Sequence, residues 1–264
     1  MTRADGAAVD TEADAVLALR AAGCVFAEDE AALIFAQATS PDEARGMVDR
    51  RVAGEPLEVI LGWAAFHGQR VIIRPGVFVP RRRTEFLVDQ AIAIARPGSV
   101  VVDLCCGSGA LGLGVATAVP GVSLTAADIE TAAVDCARLN LAGIGAIVEG
   151  DLFDPLPADL RGAIDILLVN APYVPSGEIE RMPPEARLHE PRVALDGGDD
   201  GLDIHRRVAA AARDWLAPGG VLLIETSESQ AEAAEALFAS HRLVSGTRYS
   251  EDYDATVVTG TRPA

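Results

Sequence analysis

The segment Asn170-Ala171-Pro172-Tyr173 directly follows an apolar run and combines a side-chain amide with an aromatic ring. An amide nitrogen is a poor nucleophile because its lone pair is delocalised into the carbonyl group. The side-chain oxygen of Asn170 and an adjacent main-chain carbonyl can accept both N–H bonds of such an amide, which aims the lone pair and disperses developing charge. Tyr173 can stack on the acceptor plane. The segment predicts a group-transfer site for an amide or amine nitrogen, although Asn-x-Pro is also a common turn at strand ends.

A glycine-rich segment, Gly107-Ser108-Gly109-Ala110-Leu111-Gly112, follows a second apolar run and matches the pattern GxGxxG. Its glycines let the backbone approach a ligand at the carboxyl edge of a parallel sheet. Asp128, at the end of the next apolar run, can accept hydrogen bonds from both hydroxyls of a ribose. These features suit NAD and S-adenosylmethionine equally well.

Two further acidic residues distinguish between NAD and S-adenosylmethionine as the predicted cofactor. Asp103, four positions before the first of these glycines, can hold the loop backbone or, through water, the amino acid part of S-adenosylmethionine, whereas its charge would repel the pyrophosphate of NAD. Asp151 is placed to hydrogen-bond an adenine amino group, with Leu152 or Phe153 lining the ring. Acids at three successive strand ends favour S-adenosylmethionine. The predicted cofactor-binding residues are Asp103, Cys105, Cys106, Gly107, Ser108, Gly109, Asp128, Ile129, Asp151, Leu152 and Asn170.

The elements that position these residues alternate regularly from residue 99 onward. Strands are predicted over residues 99–104, 122–127, 146–148, 163–169 and 221–225, and helices over residues 110–118, 130–141, 202–216 and 230–240. This series predicts an α/β fold with a parallel sheet and helices on both faces. Two last strands, 242–249 and 255–260, are joined so briefly that they must pair antiparallel. The order is that of a class I S-adenosylmethionine-dependent methyltransferase fold, with seven strands and a terminal antiparallel hairpin.

Three domains are expected: residues 1–54 as a helical N-terminal domain, 55–80 as a β-hairpin connector and 81–264 as the methyltransferase domain. The third N-terminal helix has a clear start, with Ser40 as the cap, Pro41 at the first helical position and Glu43 completing a capping box.

Composition limits the other functions. Acidic residues outnumber basic residues by 39 to 22, and the resulting net charge of -17 disfavours nucleic-acid binding. The dense basic run Arg81-Arg82-Arg83 suits either a solvated turn or a docking site.

The four cysteines lack the spacing of a metal or redox site, and no metal is expected. Without a signal peptide or membrane-spanning run, a cytoplasmic location and no membrane partner are expected. The four histidines are not clustered; all are expected to be surface or capping residues, and none is assigned to catalysis.

The sequence resembles the HemK/PrmC protein-(glutamine) methyltransferases, which modify the glutamine of the Gly-Gly-Gln motif in peptide chain release factors. The resemblance extends from about residue 54 to the end of the chain, and it is most specific in the segments that no general nucleotide-binding rule requires. These segments are 55–62, 75–81 with Thr84-Glu85, Glu190-Pro191, Ala194-Leu195 and 198–203.

The resemblance implies S-adenosylmethionine as cofactor, a release factor as protein substrate and glutamine methylation in translation termination as the activity. It assigns catalysis to Asn170, Ala171, Pro172 and Tyr173, with the Ala171 carbonyl as the second amide contact. The N-terminal helical domain would recognise the release factor.

Four departures from the family pattern indicate a divergent branch. Ala171 replaces the first proline of Asn-Pro-Pro-Tyr, and Cys105 replaces a glycine of the cofactor loop. Arg82-Arg83 stands where the family favours Pro-Glu, and Thr226-Ser227 replaces Ile-Gly. Two alternative functions follow: methylation of the exocyclic amine of a nucleic-acid base, or a degenerate paralogue that binds the cofactor without turnover.

Overall fold

A computed structural model describes residues 10–264, which divide into two compact units. The helical unit contains the described residues up to Trp63 and also Pro183–His189; the sheet unit contains Ala64–Met182 and Glu190–Ala264. The assignment of residues 183–189 to the helical unit is a feature that the sequence pattern does not indicate.

The helical unit is built from five helices: α1 (Glu12–Ala21), α2 (Ala27–Gln37), α3 (Pro41–Val52), α4 (Leu57–Leu61) and α8 (Pro184–His189). Leu19, Ile34 and Val48 are fully buried at their centre. Arg51 joins α2 to α8, since its guanidinium donates to Glu30 Oε2 at 2.6 Å and to Glu185 Oε2 at 3.1 Å. Such a partly buried pairing fixes geometry more than it adds stability.

The start of α3 differs in one respect from the predicted capping box. The Ser40 hydroxyl accepts a hydrogen bond from the Glu43 N–H at 3.2 Å, as expected. The Glu43 carboxylate, however, accepts from the N–H of Thr39 at 2.7 Å and from its hydroxyl at 2.5 Å. The second half of the prediction is wrong because Thr39 offers two donors together, one residue before the cap.

A two-stranded sheet links the N-terminal helices to the rest of the chain, as the predicted hairpin requires. Its strands are β1 (Trp63–Phe66) and β2 (Gln69–Ile72). The two turn residues, His67 and Gly68, have φ values of 47° and 71°. Positive φ at both positions matches the twist of the flanking strands.

The main sheet has seven strands: β3 (Val100–Leu104), β4 (Ser123–Asp128), β5 (Gly145–Glu149), β6 (Ile164–Val169), β7 (Leu216–Thr226), β8 (Val244–Ser250) and β9 (Ala255–Thr261). Their order is β5-β4-β3-β6-β7-β9-β8. The first five run parallel, and β9 pairs antiparallel with both β7 and β8. The predicted class I fold is therefore confirmed.

Helices cover the sheet: α5 (Glu85–Ile94), α6 (Ala110–Ala118), α7 (Thr131–Asn140), α9 (Asp203–Trp215) and α10 (Ala231–Ser240). The sequence analysis did not predict α5. Successive side chains of a strand point to opposite faces. Val102 and Leu104 accordingly share a core cluster with residues of α9 and α10, while Asp103 bonds to the first turn of α6.

Among the described residues, no helix combines the length and apolarity needed to cross a membrane.

Candidate active site at the carboxyl edge of the sheet

A cavity of about 360 Å³ lies at the carboxyl ends of β3, β4 and β6 in the sheet unit. Strands β3 and β6 are neighbours in the sheet. The connection after β3 leads to β4 on one side of this pair, and the connection after β6 leads to β7 on the other side. Such a switch in strand order is the usual ligand crevice of an open α/β sheet. Both predicted halves of the site, the glycine-rich loop and the Asn170 segment, line this one cavity.

Main-chain hydrogen bonds shape the cofactor loop between β3 and α6. The Cys106 N–H donates to the carbonyl of Ala127 at 3.1 Å, and the Gly107 N–H donates to Asp128 Oδ2 at 2.8 Å. Cys105 has a φ of 56°, in the region that favours glycine. A side chain there costs roughly 1 kcal/mol, which gives a physical reason for a glycine at this position.

Gly109 lies outside the cavity wall, although it belongs to the predicted cofactor set. Its φ is 78°, and a Cβ at this position would lie 2.9 Å from Leu141 Cδ1. The close approach of α6 to the end of α7 therefore requires glycine. Gly109 therefore affects the site by setting the path of the loop. The cavity itself is lined by Cys105, Cys106, Gly107 and Ser108.

Asp128 ends β4 on the wall of the cavity, where the sequence places it. Its Oδ2 accepts from Gly107, and its Oδ1 accepts from the Glu130 N–H at 3.0 Å. Burial raises the pKa of this carboxyl, and the backbone donors oppose the rise. Each oxygen keeps a further lone pair for a ligand hydroxyl. Ile129 also lines the cavity.

Asp103 is fully buried beneath the loop and is not among the lining residues. Its Oδ2 accepts from the Gly112 N–H at 2.9 Å, which matches the predicted role of holding the loop backbone. Burial raises its pKa to about 7, because one backbone hydrogen bond compensates only part of the lost hydration. Asp103 therefore acts on the loop from below.

Asp151 and Leu152 follow β5 and line the cavity. The Asp151 Oδ2 accepts from Arg207 of α9 at 2.7 Å, so part of its charge is compensated. Of the two residues expected near an adenine ring, only Leu152 lines the cavity. Phe153 instead stacks on Trp215 with ring centroids 5.6 Å apart.

The acceptor segment 170–173 lines the opposite part of the cavity, immediately after β6. The Asn170 Nδ2 donates to the Thr84 hydroxyl at 3.4 Å, which leaves the side-chain oxygen available as an acceptor. Among the described residues, no main-chain N–H donates to the Ala171 carbonyl. Two hydrogen-bond acceptors are thus present where the sequence predicts them.

Tyr173 is held at both ends. Its hydroxyl donates to Glu225 Oε1 at 2.9 Å, and its main-chain carbonyl accepts from Gln230 Nε2 at 2.9 Å. Glu225 is the second-last residue of β7 and is 2% exposed. Burial raises the pKa of Tyr173, the Glu225 carboxylate raises it further, and the Arg83 guanidinium opposes the rise. The ring is therefore a fixed surface of the cavity.

Glu225 and Gln230 hold Tyr173 at the cavity, and the sequence analysis does not predict this role for either residue. A detectable signal for Glu225 is its position as an acid at the end of the strand beside β6. Gly201 shows how tightly this network is built: a Cβ there would lie 2.2 Å from the Tyr173 carbonyl oxygen and 2.3 Å from Gln230 Nε2. That approach explains one glycine of segment 198–203.

His205 contradicts the expectation that all histidines are surface or capping residues. It is fully buried, and its Nε2 lies 3.2 Å from the main-chain oxygen of Glu225. Burial lowers its pKa to about 4, so the ring is neutral at physiological pH. His205 supports β7 from α9 and lies outside the cavity wall.

The basic run 81–83 divides between two roles. Arg81 pairs with Glu190 Oε1 at 2.5 Å, and its guanidinium carbon lies 5.1 Å from the centroid of the Phe78 ring. Arg82 and Arg83 are both exposed, but only Arg83 lines the cavity, where it lies near Tyr173 and Glu225.

The cavity fits S-adenosylmethionine better than a dinucleotide. Its cofactor half presents the carboxylates of Asp128 and Asp151, which suit hydroxyl and amino donors and disfavour a pyrophosphate. Arg207, the cation on that side, is already paired with Asp151. A positively charged sulfonium is compatible with these acids.

The chain is similar to known methyltransferases. Residues 69–198 match the family Methyltransferase small domain. The chain is similar to the release factor glutamine methyltransferase of Geobacter sulfurreducens, with 38% identity over 210 residues that cover 77% of this chain and 73% of that protein. It is also similar to the 4-amino-L-phenylalanine/4-methylamino-L-phenylalanine methyltransferase of Streptomyces pristinaespiralis, with 41% identity over 199 residues that cover 72% and 68%. The crystal structure of a methyltransferase from Pyrococcus furiosus, 14% identical, covers 75% of this chain and 90% of that chain with a TM-score of 0.57, which shows a common fold.

Proposed function

This chain belongs to the release factor glutamine methyltransferase family, and we propose that it transfers a methyl group from S-adenosylmethionine to a glutamine side chain in a peptide chain release factor. The glutamine of the Gly-Gly-Gln motif is the proposed acceptor. The observation that carries the proposal is one cavity in which the loop after β3 faces segment 170–173, with Tyr173 held by a buried carboxylate.

S-adenosylmethionine, when bound, supplies an electrophilic methyl group on a positively charged sulfur. We assign its binding to residues of the cofactor half, with Asp128 for the ribose hydroxyls, Asp151 and Leu152 for the adenine, and the main chain of residues 105–108 for close approach. Asp103 and Gly109 contribute by setting the path of the loop.

The acceptor half orients the nucleophile. The Asn170 side-chain oxygen and the Ala171 carbonyl accept the two N–H bonds of the substrate amide, and Tyr173 packs on its plane. The nitrogen lone pair forms the new N–C bond while the C–S bond breaks, and its electron pair stays on sulfur. The proton on nitrogen becomes acidic only after this step and leaves to water, so no general base is needed. Preorganised acceptors of this kind stabilise the charge that develops on nitrogen.

The test uses the purified protein, S-adenosylmethionine labelled in its methyl group, a release factor and the same release factor with its motif glutamine changed to alanine. We expect label in the first protein only. Equal labelling of both would exclude the glutamine assignment.

A second acceptor class is supported by the Streptomyces pristinaespiralis relative, which is as similar to this chain as the release factor enzymes are. The proposed alternative is an aromatic amine on a free amino acid. Its nitrogen is also planar and also carries two N–H bonds, so the same two acceptors would bind it. Parallel assays with 4-amino-L-phenylalanine and a release factor distinguish the two classes by their kcat/KM values.

A further inference from the structure

Thr84 is a buried threonine whose side chain does not cap the helix that follows it. It immediately precedes α5 and is fully buried. A threonine at this position normally accepts a hydrogen bond from a main-chain N–H in the first turn of the helix. The Thr84 side chain accepts no such bond. Its hydroxyl instead accepts from Asn170 Nδ2 at 3.4 Å, so its polar contact is with the acceptor segment.

The direction of the Thr84 hydroxyl depends on its surroundings, because a hydroxyl can donate as well as accept. Burial raises the pKa of the adjacent Glu225 carboxyl, and the Thr84 hydroxyl opposes the rise, as a hydrogen-bond donor does. Glu225 Oε2 is buried and accepts no close hydrogen bond from a described residue, so it is available for the Thr84 proton. With that proton directed to Glu225, the Thr84 oxygen is an acceptor, and Asn170 presents its NH₂ group to it.

The orientation of the Asn170 amide decides which acceptor the cavity fits. A half-turn of the amide exchanges Oδ1 and Nδ2 with almost no change of shape. With Nδ2 on Thr84, Oδ1 accepts no hydrogen bond from a described residue and can accept an N–H of a substrate amide. With the amide turned, N–H donors would face the substrate, and the same place would suit a carboxylate. The two orientations therefore select between glutamine and glutamate.

We propose that Thr84 is a positioning residue that holds Asn170 Oδ1 toward the acceptor and thereby selects an amide over a carboxylate. The inference rests on the proposed methyl transfer to a glutamine nitrogen beside Asn170, and it leaves that chemical step unchanged. A glutamate oxygen in place of the amide NH₂ would lie against two acceptors, Asn170 Oδ1 and the Ala171 carbonyl, with no proton between them. A site rejects a ligand of nearly the same shape most effectively when binding it leaves buried polar groups unpaired.

The experiment compares the binding of a release factor with that of the same protein whose motif glutamine is changed to glutamate. Both are titrated by calorimetry into enzyme loaded with S-adenosylhomocysteine, the demethylated cofactor, so that no transfer occurs. Thr84→Val removes the hydroxyl and keeps the shape, whereas Thr84→Ser keeps the hydroxyl. Thr125→Val is the matched control, since Thr125 is a buried threonine of β4 outside the cavity wall.

We expect the wild type to bind the glutamine form about 10- to 100-fold more tightly than the glutamate form. Thr84→Val should reduce this ratio by about fivefold or more and lower kcat for methyl transfer about tenfold, because the Asn170 amide is then free to turn. Thr84→Ser should keep most of each, and Thr125→Val should keep all. In an Asn170→Ala background, Thr84→Val should not change the ratio further, because Thr84 acts through Asn170.

An unchanged ratio in Thr84→Val would overturn the inference, as would the same fall of the ratio with and without the Asn170 side chain. Equal losses in Thr84→Val and Thr84→Ser would also overturn it, because they would assign the effect to packing and not to the hydroxyl. Should Thr84→Val fail to unfold cooperatively on heating, Thr84→Ala takes its place with the same expectations. Equal binding of both release factor forms by an active wild type would reject the inference alone, whereas no methyl transfer by the wild type would reject the proposed function.

Discussion

The two halves of the cavity are held together in different ways. In the cofactor half, main-chain N–H groups of Gly107, Gly112 and Glu130 bind the carboxylates of Asp103 and Asp128. In the acceptor half, side chains from distant parts of the chain bind one another, as in the bond from the Tyr173 hydroxyl to Glu225. A site built on main-chain bonds tolerates changes of side chain, whereas a site built on side chains changes its specificity with them.

The departures from the family pattern are distributed accordingly. At Cys105 and Ala171 the proposed roles belong to main-chain atoms: the main chain sets the path of the loop at Cys105, and the carbonyl of Ala171 is a hydrogen-bond acceptor. Both roles are therefore kept when the side chain changes. Arg83 acts through its side chain and faces the acceptor half. The difference between the halves therefore predicts that cofactor binding survives these departures, whereas changes of side chain in the acceptor half alter how the acceptor is bound.

The sharpest test of this comparison is Asn170→Ala. Removing the side-chain acceptor should lower kcat for methyl transfer by about 10²- to 10³-fold, the usual cost of losing one preorganised hydrogen-bonding group that stabilises transition-state charge. S-adenosylmethionine affinity, measured by calorimetry, should stay within about twofold because the loop is held independently. Normal turnover in this variant would refute the role given to Asn170.

Asp103→Asn tests the cofactor half through stability. The pKa of Asp103 is raised to about 7 in the folded protein from an ordinary value of 3.8, so the folded state retains a proton that the unfolded state releases. Stability should consequently fall as pH rises from about 4 to 7 and then level off, by about 2 to 4 kcal/mol from this group.

The measurement for Asp103→Asn is urea unfolding at pH 5 and pH 8 for both proteins. Other groups titrate in the same range, so the informative quantity is the difference between the two proteins. The variant should lose less stability than the wild type between these values. The same decrease in both would show that Asp103 does not hold the proton.

The Tyr173–Glu225 bond tests the acceptor half. Tyr173→Phe and Glu225→Gln should each lower kcat/KM for the acceptor by about tenfold, because each weakens a buried hydrogen bond to a charged group. The double variant should be little worse than either single variant, since both changes act on one contact. Additive losses, or a loss of cofactor affinity, would contradict a role confined to positioning the ring.

Cys105→Gly has the smallest expected effect. It removes a side chain from a residue with a φ of 56° and should stabilise the protein by up to about 1 kcal/mol, offset by the lost contact of Cys105 with the core. Thermal unfolding measures the change, with Cys106→Gly as the matched control, which should destabilise because Cys106 is buried. Weaker cofactor binding in Cys105→Gly would show that the cysteine side chain, and not the main chain, serves the ligand.

Much of the fold could be predicted because periodic patterns are local. The seven strands and the antiparallel pairing of β8 and β9 follow from apolar runs and a short connection. The start of α3 shows the limit of such patterns: the sequence correctly predicts Ser40 as the cap, but the Glu43 carboxylate accepts two hydrogen bonds from Thr39. Competition between neighbouring donors depends on their positions in three dimensions.

The residues of the site also fall into two groups, those predictable from local sequence patterns and those whose positions depend on the tertiary structure. By itself the sequence determined the cofactor loop, Asp128, Asp151 and segment 170–173, because each lies at the end of a strand and parallel strands bring their carboxyl ends to one edge. Only the tertiary structure decided that Asp103 lies beneath the loop and that Glu225 holds Tyr173 from 52 positions away along the chain. It also decided that Arg83 lines the cavity while Arg82 does not. The physical reason is that burial and long-range hydrogen bonds depend on which segments meet, and adjacent residues on a turn point in different directions.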